Sequence, residues 1–165
     1  MGHVLDSSDI SYTEHDQQIW DEELAEFLPS RIFDAHIHLF NKAHRSGDSG
    51  GWSNADLSTL NQWAAKLYPD REVHYLVLGT PLPGMDVAAH NAWATEQVQS
   101  DPQSRFNRLV TPDCKLDDIR RDVEQPGVIG LKPYRVYSVS GDIAQCRIHE
   151  FLPHEQLELA NELGL

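Results

Sequence analysis

Cysteine is scarce in this sequence, and its scarcity excludes two classes of small protein. The 165 residues include two cysteines, Cys114 and Cys146, and neither belongs to a CxxC motif. A disulfide framework and a zinc ribbon both need more cysteines at closer spacing. We therefore interpret both cysteines as reduced packing residues.

Basic clusters and long apolar runs are also missing. Asp and Glu outnumber Lys and Arg by 26 to 13, the formal net charge is −13, and the longest basic run is the pair Arg120-Arg121. Such a surface disfavours nucleic acid and anionic membranes as partners. No apolar stretch approaches the roughly 20 residues that span a bilayer, and the N-terminus lacks the basic and apolar regions of a signal peptide. These absences predict a cytoplasmic protein.

Apolar runs and helical patterns alternate along most of the chain. We expect residues 1–12 to form a loose leader. Thr13 can then cap a leader helix that runs to about Leu28. The predicted strands lie at 31–39, 72–80, 106–111 and 127–134, and a helical pattern follows each of them. Repeated strand–helix units predict an α/β domain over residues 13–165, with a parallel sheet and helical crossovers.

The number of strand–helix units predicts half of a TIM-type (β/α)8 barrel. A complete barrel takes about 250 residues, whereas this chain supplies a leader helix and four units. An open doubly wound sheet is the alternative, although no GxGxxG or GxxxxGK[ST] motif follows the first strand. A half barrel exposes the edges of its first and last strands, which makes it prone to pairing with other chains, as in a homo-oligomer, or to aggregation.

The first strand, RIFDAHIHLF, contains two histidines one residue apart. Alternation along a strand predicts that His36 and His38 share one face with Asp34, and the two imidazoles, about 7 Å apart, can converge on a metal ion. A pair of hydrogen-bonded core histidines is the plainer alternative. The position at a strand end, where barrels keep their chemistry, favours ligation. Asp34 either orients one imidazole or makes a hydrogen bond in the barrel floor.

Lys132 lies near the end of the fourth apolar run, where a lysine is uncommon unless it is paired. A salt bridge or a stem that reaches the surface is one interpretation. The others are contact with a substrate carboxylate, or a carbamate that bridges two metal ions. Tyr134 and Arg135 follow and are candidates for binding an anionic or aromatic substrate, although an ordinary loop role also suits each of them.

The remaining histidines give weaker signals. His44 falls in a glycine-rich loop, where a solvated side chain is the favoured interpretation and participation in the metal site is the alternative. His74 and His90 are expected to have structural roles. The HEFLPH segment at 149–154 resembles a zinc helix, but its spacing is HExxxH and Pro153 interrupts it. No GxSxG elbow or reactive-cysteine signature supports hydrolysis by a protein nucleophile.

Four segments together carry a resemblance to a known family. They are FDAHIHLF in the first strand, VHYLVLGTPLPGMD in and after the second, LVTPD after the third and VIGLKPY in the fourth. Over about residues 24–165 the sequence resembles the amidohydrolase superfamily, most closely the amidohydrolase-2 group that includes aminocarboxymuconate-semialdehyde decarboxylase. The resemblance implies a (β/α)8 barrel that holds one or two divalent metals, usually zinc.

The resemblance also implies roles for individual residues. His36 and His38 match the metal ligands of the family's first strand, and Lys132 lies where some members place a carboxylated lysine. Further histidine ligands and the catalytic general-base aspartate are expected beyond Leu165. This chain is therefore expected to be an N-terminal fragment.

The implied activity is metal-dependent hydrolysis, in which metal-activated water attacks a small amide, lactone or related carbonyl substrate. A metal-dependent decarboxylase of the same group, acting on a carbon–carbon bond, is the first alternative. A catalytically incomplete half barrel that binds metal is the second. Activity is expected of the full-length enzyme and not of this part alone.

Overall fold

The computed structural model describes residues 11–46 and 54–165 of the chain. Its strands are β1 (Arg31–Ile37), β2 (Phe40–Asn41), β3 (Asn54–Ala55), β4 (Glu72–Leu78), β5 (Arg105–Val110) and β6 (Val128–Pro133). Its helices are α1 (Glu14–Ile19), α2 (Leu57–Leu67), α3 (Val87–Gln99), α4 (Leu116–Val123) and α5 (His154–Leu163). Most of the predicted loose leader, residues 1–10, lies outside the described residues.

One sheet contains the four longer strands in the order β1-β4-β5-β6, and every neighbouring pair is parallel. Helices α2, α3 and α4 connect successive strands of this sheet, and α5 follows β6. The predicted α/β class and parallel four-stranded sheet are therefore confirmed, with strand ends that differ from the predicted ones by at most two residues. A sheet of this topology is compatible with half of an α/β barrel.

The leader helix is capped and fastened at the N-terminal end of the sheet. The Thr13 side chain accepts a hydrogen bond from the backbone N–H of Asp16, whose carboxylate accepts one from the backbone N–H of Thr13, which is a capping box. The helix continues as a π-helical segment, Trp20–Leu24, in which Trp20 is buried. The Arg71 guanidinium carbon lies 5.1 Å from the Trp20 ring centroid, a cation–π contact. Because Arg71 directly precedes β4, this contact ties the leader to the end of the sheet opposite the histidine pair.

The apolar core lies on one face of the sheet. Phe106 and Val77 point from neighbouring strands toward Ala94 and Val98 of α3, and all four are buried. A second cluster joins the end of β5 to α4 and α5 and consists of Val110, Ile119 and Leu159. Burial of apolar side chains by these helices is the main stabilising term of the fold.

The helices of the described chain are short, from 6 residues in α1 to 13 in α3. None of those described is both long and apolar enough to cross a membrane. Helix α5 ends at Gly164, whose φ of 70° lies in the left-handed region that favours glycine. A glycine in this position is a common way for a helix to end.

A short antiparallel ladder closes the loop that follows β1. Phe40 pairs with Ala55 and Asn41 with Asn54, so β2 and β3 contain two residues each. Strands of this length leave no hydrophobic alternation in the sequence, and for that reason they were not predicted.

Candidate metal centre

A bulge in β1 decides which side chains share a face. Asp34 is aligned with Tyr75 and Ile37 with Val77, so the two residues Ala35 and His36 together oppose one residue of β4. The extra residue interrupts the alternation of side chains. Tyr75 and Val77 belong to the helix-covered core, which places Asp34 on the covered face. His36 and His38 flank Ile37 and lie on the open face.

The expectation that Asp34 shares a face with the two histidines is therefore wrong, because an ideal strand without a bulge was assumed. One Asp34 carboxylate oxygen accepts a hydrogen bond of 3.0 Å from the backbone N–H of His36. This local bond holds the backbone of the bulge. Asp34 supports the position of His36 through the main chain rather than through an imidazole.

His38 is held in a single tautomer by the neighbouring strand. Its Nδ1 lies 2.9 Å from the backbone oxygen of Leu78 at the end of β4. A carbonyl oxygen only accepts, so Nδ1 carries the proton and Nε2 presents a lone pair. Burial lowers the pKa of His38 below its usual value, the hydrogen bond to Leu78 opposes this shift, and electrostatic interaction with His36 and Lys132 adds to it. The lowered pKa favours the neutral form, which is the form that ligates metals.

His36 lies beside His38 and is exposed. The two ring centroids are 5.3 Å apart and the ring planes cross at 77°. Zinc sites use three or four protein ligands, and within the described ranges no group of three or more His, Cys, Asp or Glu side chains is placed to hold a metal ion. The structure therefore brings together two of the nitrogen donors that such a site needs.

Lys132 and Tyr134 approach the histidines from the opposite edge of the sheet. Lys132 is aligned with Leu109, and its Nζ lies 5.1 Å from the ring centroid of Tyr134. The Tyr134 ring centroid lies 6.5 Å from that of His38. In a flat sheet β1 and β6 would be about 14 Å apart, at about 4.8 Å per strand spacing. The contact indicates that the sheet curves toward its open face.

The structure bears on some of the interpretations given above for Lys132, Tyr134 and Arg135. Lys132 forms no ion pair with any residue that the structure describes, so the salt-bridge interpretation has no partner there. Burial raises the pKa of Tyr134 to about 12, and its hydroxyl is buried without a hydrogen-bond partner. Arg135 begins the 3₁₀ segment Arg135–Tyr137 and is exposed. The ring contacts of His38 are with His36 and Tyr134.

A second pair of histidines lies near the first. Thr80 donates its backbone N–H to Nε2 of His90 over 3.1 Å, so Nδ1 of His90 carries the proton, and burial lowers the pKa of this side chain to about 4. The His44 ring centroid lies 6.3 Å from that of His90 and 5.4 Å from that of Trp93. The structural role predicted for His90 agrees with this geometry. A metal at Nδ1 would require Nε2 to give up its hydrogen bond from Thr80.

The solvated side chain predicted for His44 is wrong. The ring is half-buried against α3, and burial lowers its pKa. The backbone explains this position, because Arg45 forms a β-bridge with Met85 and the Asp86 N–H donates to the His44 carbonyl over 2.7 Å. The sequence carried no signal for this long-range bridge.

The HExxxH segment is divided between two elements. His149 lies in the 3₁₀ segment Ile148–Glu150, and His154 begins α5. The two histidines therefore do not share a helical face, in agreement with the prediction. Cys114 and Cys146 are both free thiols.

Comparison with known proteins found no family model, no curated protein and no solved structure that matches this chain. The fold itself defines an α/β protein with a parallel four-stranded sheet, and the site defines a histidine pair at the carboxyl end of its first strand. Function is therefore argued from the geometry of that site.

Proposed function

We propose that this chain provides the first-strand ligands of a metal-dependent hydrolase of the amidohydrolase type, built on a (β/α)8 barrel and acting on a small amide, lactone or related carbonyl substrate. The observation that carries the proposal is the hydrogen bond between Nδ1 of His38 and the Leu78 carbonyl. It leaves Nε2 free on the open face, beside the exposed ring of His36. A carbonyl that fixes the tautomer of a ligating histidine is the usual outer partner in metal sites.

The donors present fit a divalent metal such as zinc. Imidazole nitrogen is a preferred ligand of Zn²⁺, and His36 and His38 would hold the ion through their ring nitrogens. A bound metal supplies a water of lowered pKa and a Lewis acid for a carbonyl oxygen. Lys132 could join the ligands only as a carbamate, because its ammonium form has no lone pair.

The surroundings of the histidines are apolar on the side of the neighbouring strand ends. Leu78 and Leu109 are buried at the adjacent strand ends and form an apolar floor. Charges act more strongly over such a floor than in water. Lys132, aligned with Leu109 and without a carboxylate partner in the described chain, contributes positive charge that favours a substrate bearing a carboxylate or a polarised carbonyl.

Metal binding tests the proposal directly. The chain is freed of metal with a chelator and titrated with Zn²⁺ in a calorimeter, and Co²⁺ is used for visible absorption spectra. We expect binding by the wild-type chain and loss of binding by the double variant His36→Ala/His38→Ala. The matched control is His15→Ala/His149→Ala, which removes two exposed histidines elsewhere. Unchanged zinc affinity in a folded His36/His38 variant would contradict the proposal.

A further inference from the structure

Regular pairing between β1 and β4 ends just before His38. The last aligned residues of the two strands are Ile37 and Val77, and β1 itself ends at Ile37. Beyond that point individual contacts decide where the chain and its side chains lie. The bond from Nδ1 of His38 to the Leu78 carbonyl is one of these contacts. It fixes one side of the ring, and the backbone that carries the ring has to be fixed by another contact.

Thr80 supplies a second bond between the same two strand ends. Its hydroxyl donates to the backbone oxygen of Leu39, the residue that follows His38, over 2.7 Å. Thr80 is 1% exposed and Leu39 is fully buried, and a hydrogen bond in such surroundings is stronger than one in water. His38 is therefore held twice, at its ring by Leu78 and at the main chain one residue further on by Thr80.

Thr80 is in turn fixed by α3 and β5. Its backbone N–H donates to Nε2 of His90, a buried residue of α3, over 3.1 Å. The preceding N–H, that of Gly79, donates to the Asn107 carbonyl of β5 over 3.0 Å. A Cβ atom at Gly79 would lie 2.7 Å from the backbone nitrogen of Leu109, which is closer than real Cβ atoms approach a backbone, so this contact requires glycine. The position of the Thr80 hydroxyl is therefore set by the buried core.

We propose that Thr80 is a positioning residue for His38: its hydroxyl holds the Leu39 carbonyl and thereby keeps the imidazole against the Leu78 carbonyl, with Nε2 toward the open face. The inference deepens the proposed function and rests on it for the role of His38 as a metal ligand. Partners that orient a ligating histidine usually contact its ring, whereas Thr80 acts through the main chain. Without the hydroxyl, the end of β1 can move away from β4, and a ring that leaves the carbonyl can carry its proton on either nitrogen.

The tautomer of His38 tests this role without metal. Nitrogen-15 chemical shifts of the ring are measured on the full chain at about pH 8, where an ordinary imidazole is neutral. We expect Nδ1 to carry the proton in the wild type and in Thr80→Ser, which keeps the hydroxyl, and we expect a mixture of both tautomers in Thr80→Val. The matched control is Thr95→Val, which removes a hydroxyl bond of 2.9 Å to the Asn91 carbonyl within α3, and it should keep the wild-type tautomer. Thr80→Ala is the second variant if Thr80→Val does not fold.

Zinc affinity separates this role from the proposed function. Calorimetric titration of the metal-free chain is expected to show about a 3-fold or greater loss in Thr80→Val, smaller than the about 10- to 100-fold loss for a partner that touches the ligand. No loss is expected in Thr80→Ser or Thr95→Val. A wild-type tautomer in a folded Thr80→Val or Thr80→Ala chain, a mixture in Thr80→Ser, or equal changes in Thr95→Val would overturn the role of Thr80.

The two proposals can fail independently of each other. Unchanged zinc affinity in Thr80→Val despite a mixture of tautomers would overturn the contribution of Thr80 to metal binding. A wild type that binds no zinc, with the tautomers changed as expected, would refute the proposed function and leave the positioning of His38 by Thr80 intact.

Discussion

His38 and Leu78 join the ends of two neighbouring strands through a hydrogen bond of 2.9 Å between the Nδ1 of the imidazole and the backbone oxygen. The bond fixes the ring that we assign to metal binding, and it also ties β1 to β4 beyond their regular pairing. Its structural and chemical contributions can be separated, because Nδ1 of His38 makes this bond and Nε2 takes no part in it.

The substitution His38→Asn separates them. An asparagine amide can donate to the Leu78 carbonyl from about the position of Nδ1, but it has no atom in the position of Nε2. We expect zinc affinity to fall by more than the about 10- to 100-fold that loss of an outer partner costs, with a midpoint of thermal unfolding close to that of the wild type. Calorimetric titration and thermal denaturation measure the two effects. His15→Asn, at an exposed position, should change neither of them.

The acidic partners of His74 make stability depend on pH. Its Nδ1 lies 2.8 Å from an Asp101 oxygen, and its Nε2 lies 3.1 Å from one of Glu72. The hydrogen bond and charge of Asp101 are the main cause of a pKa above the usual value for His74. Because the folded pKa is the higher one, the stabilisation is complete below the unfolded pKa of about 6.5 and is lost as pH rises through the folded pKa.

We therefore expect His74→Gln to cost more free energy of unfolding at about pH 5 than at about pH 8. Urea denaturation of the wild type and the variant at both pH values measures the difference. An equal cost at the two pH values would show that the charged form of His74 gains nothing from Asp101 and Glu72.

His90 acts in the opposite direction. Burial, with a smaller effect of the charges of His44 and His38, lowers its pKa to about 4. The unfolded chain takes up a proton near pH 6.5, whereas the folded chain does not, so stability is lost as pH falls from about 6.5 to about 4. The full loss is about 3 kcal/mol, at 1.36 kcal/mol per pKa unit. We expect the pH dependence of urea denaturation in this range to become shallower in His90→Gln.

Nuclear magnetic resonance can distinguish the two histidines. The ring signals of His90 should stay at their neutral positions down to about pH 5, and those of His74 should titrate above the usual value of about 6.5. Titration of His90 near 6.5 in the folded chain would contradict the burial argument.

The ion pair between Arg108 and Asp122 lies largely away from solvent. Arg108 is 3% exposed, and its Nε lies 2.8 Å from an oxygen of Asp122. Removing one partner of a buried pair leaves a charge without compensation. We expect Asp122→Ala to lower the free energy of unfolding by about 2–3 kcal/mol, which is less than for a fully buried pair because Asp122 is partly solvated.

The control for this prediction is Asp118→Ala, which removes one of the two carboxylate partners of the exposed Arg121, the other being Asp122 itself. Surface pairs contribute about 0–1 kcal/mol, so the control should be nearly neutral in urea denaturation. Equal losses in the two variants would show that the burial of Arg108 does not strengthen its ion pair.

The predictable part of the fold follows from continuous apolar runs. Strands buried on both faces or near helices carry such runs, and the segments around Val77, Phe106 and Val128 predict β4, β5 and β6 to within two residues. The face of a residue in β1 was harder to predict. Asp34 changes face because Ala35 and His36 share one position of the ladder, and a bulge has no sequence signature in this stretch.

The candidate site was predictable where it depends on one strand and less so where it depends on several. His36 and His38 adjoin in sequence, and the position of Lys132 and Tyr134 follows from the parallel order of the strands. The tautomer of His38 depends on a carbonyl 40 residues away in sequence. The burial of His44 depends on a bridge between Arg45 and Met85. Neither long-range contact has a local pattern in the sequence.

Because β1 contains one extra residue, the strand can lose a residue without changing the face on which its histidines lie. Ala35 and His36 face the same position of β4, so a chain without Ala35 would pass through this stretch as a regular strand. Asp34 would still point to the helices, and both imidazoles would still point to the open face. A loss of one residue at Ala35 would therefore be neutral for the histidine pair, whereas a loss at Ile37 would send His38 to the covered side. The bulge therefore lets this strand lose one residue before the histidines without moving either of them from the open face.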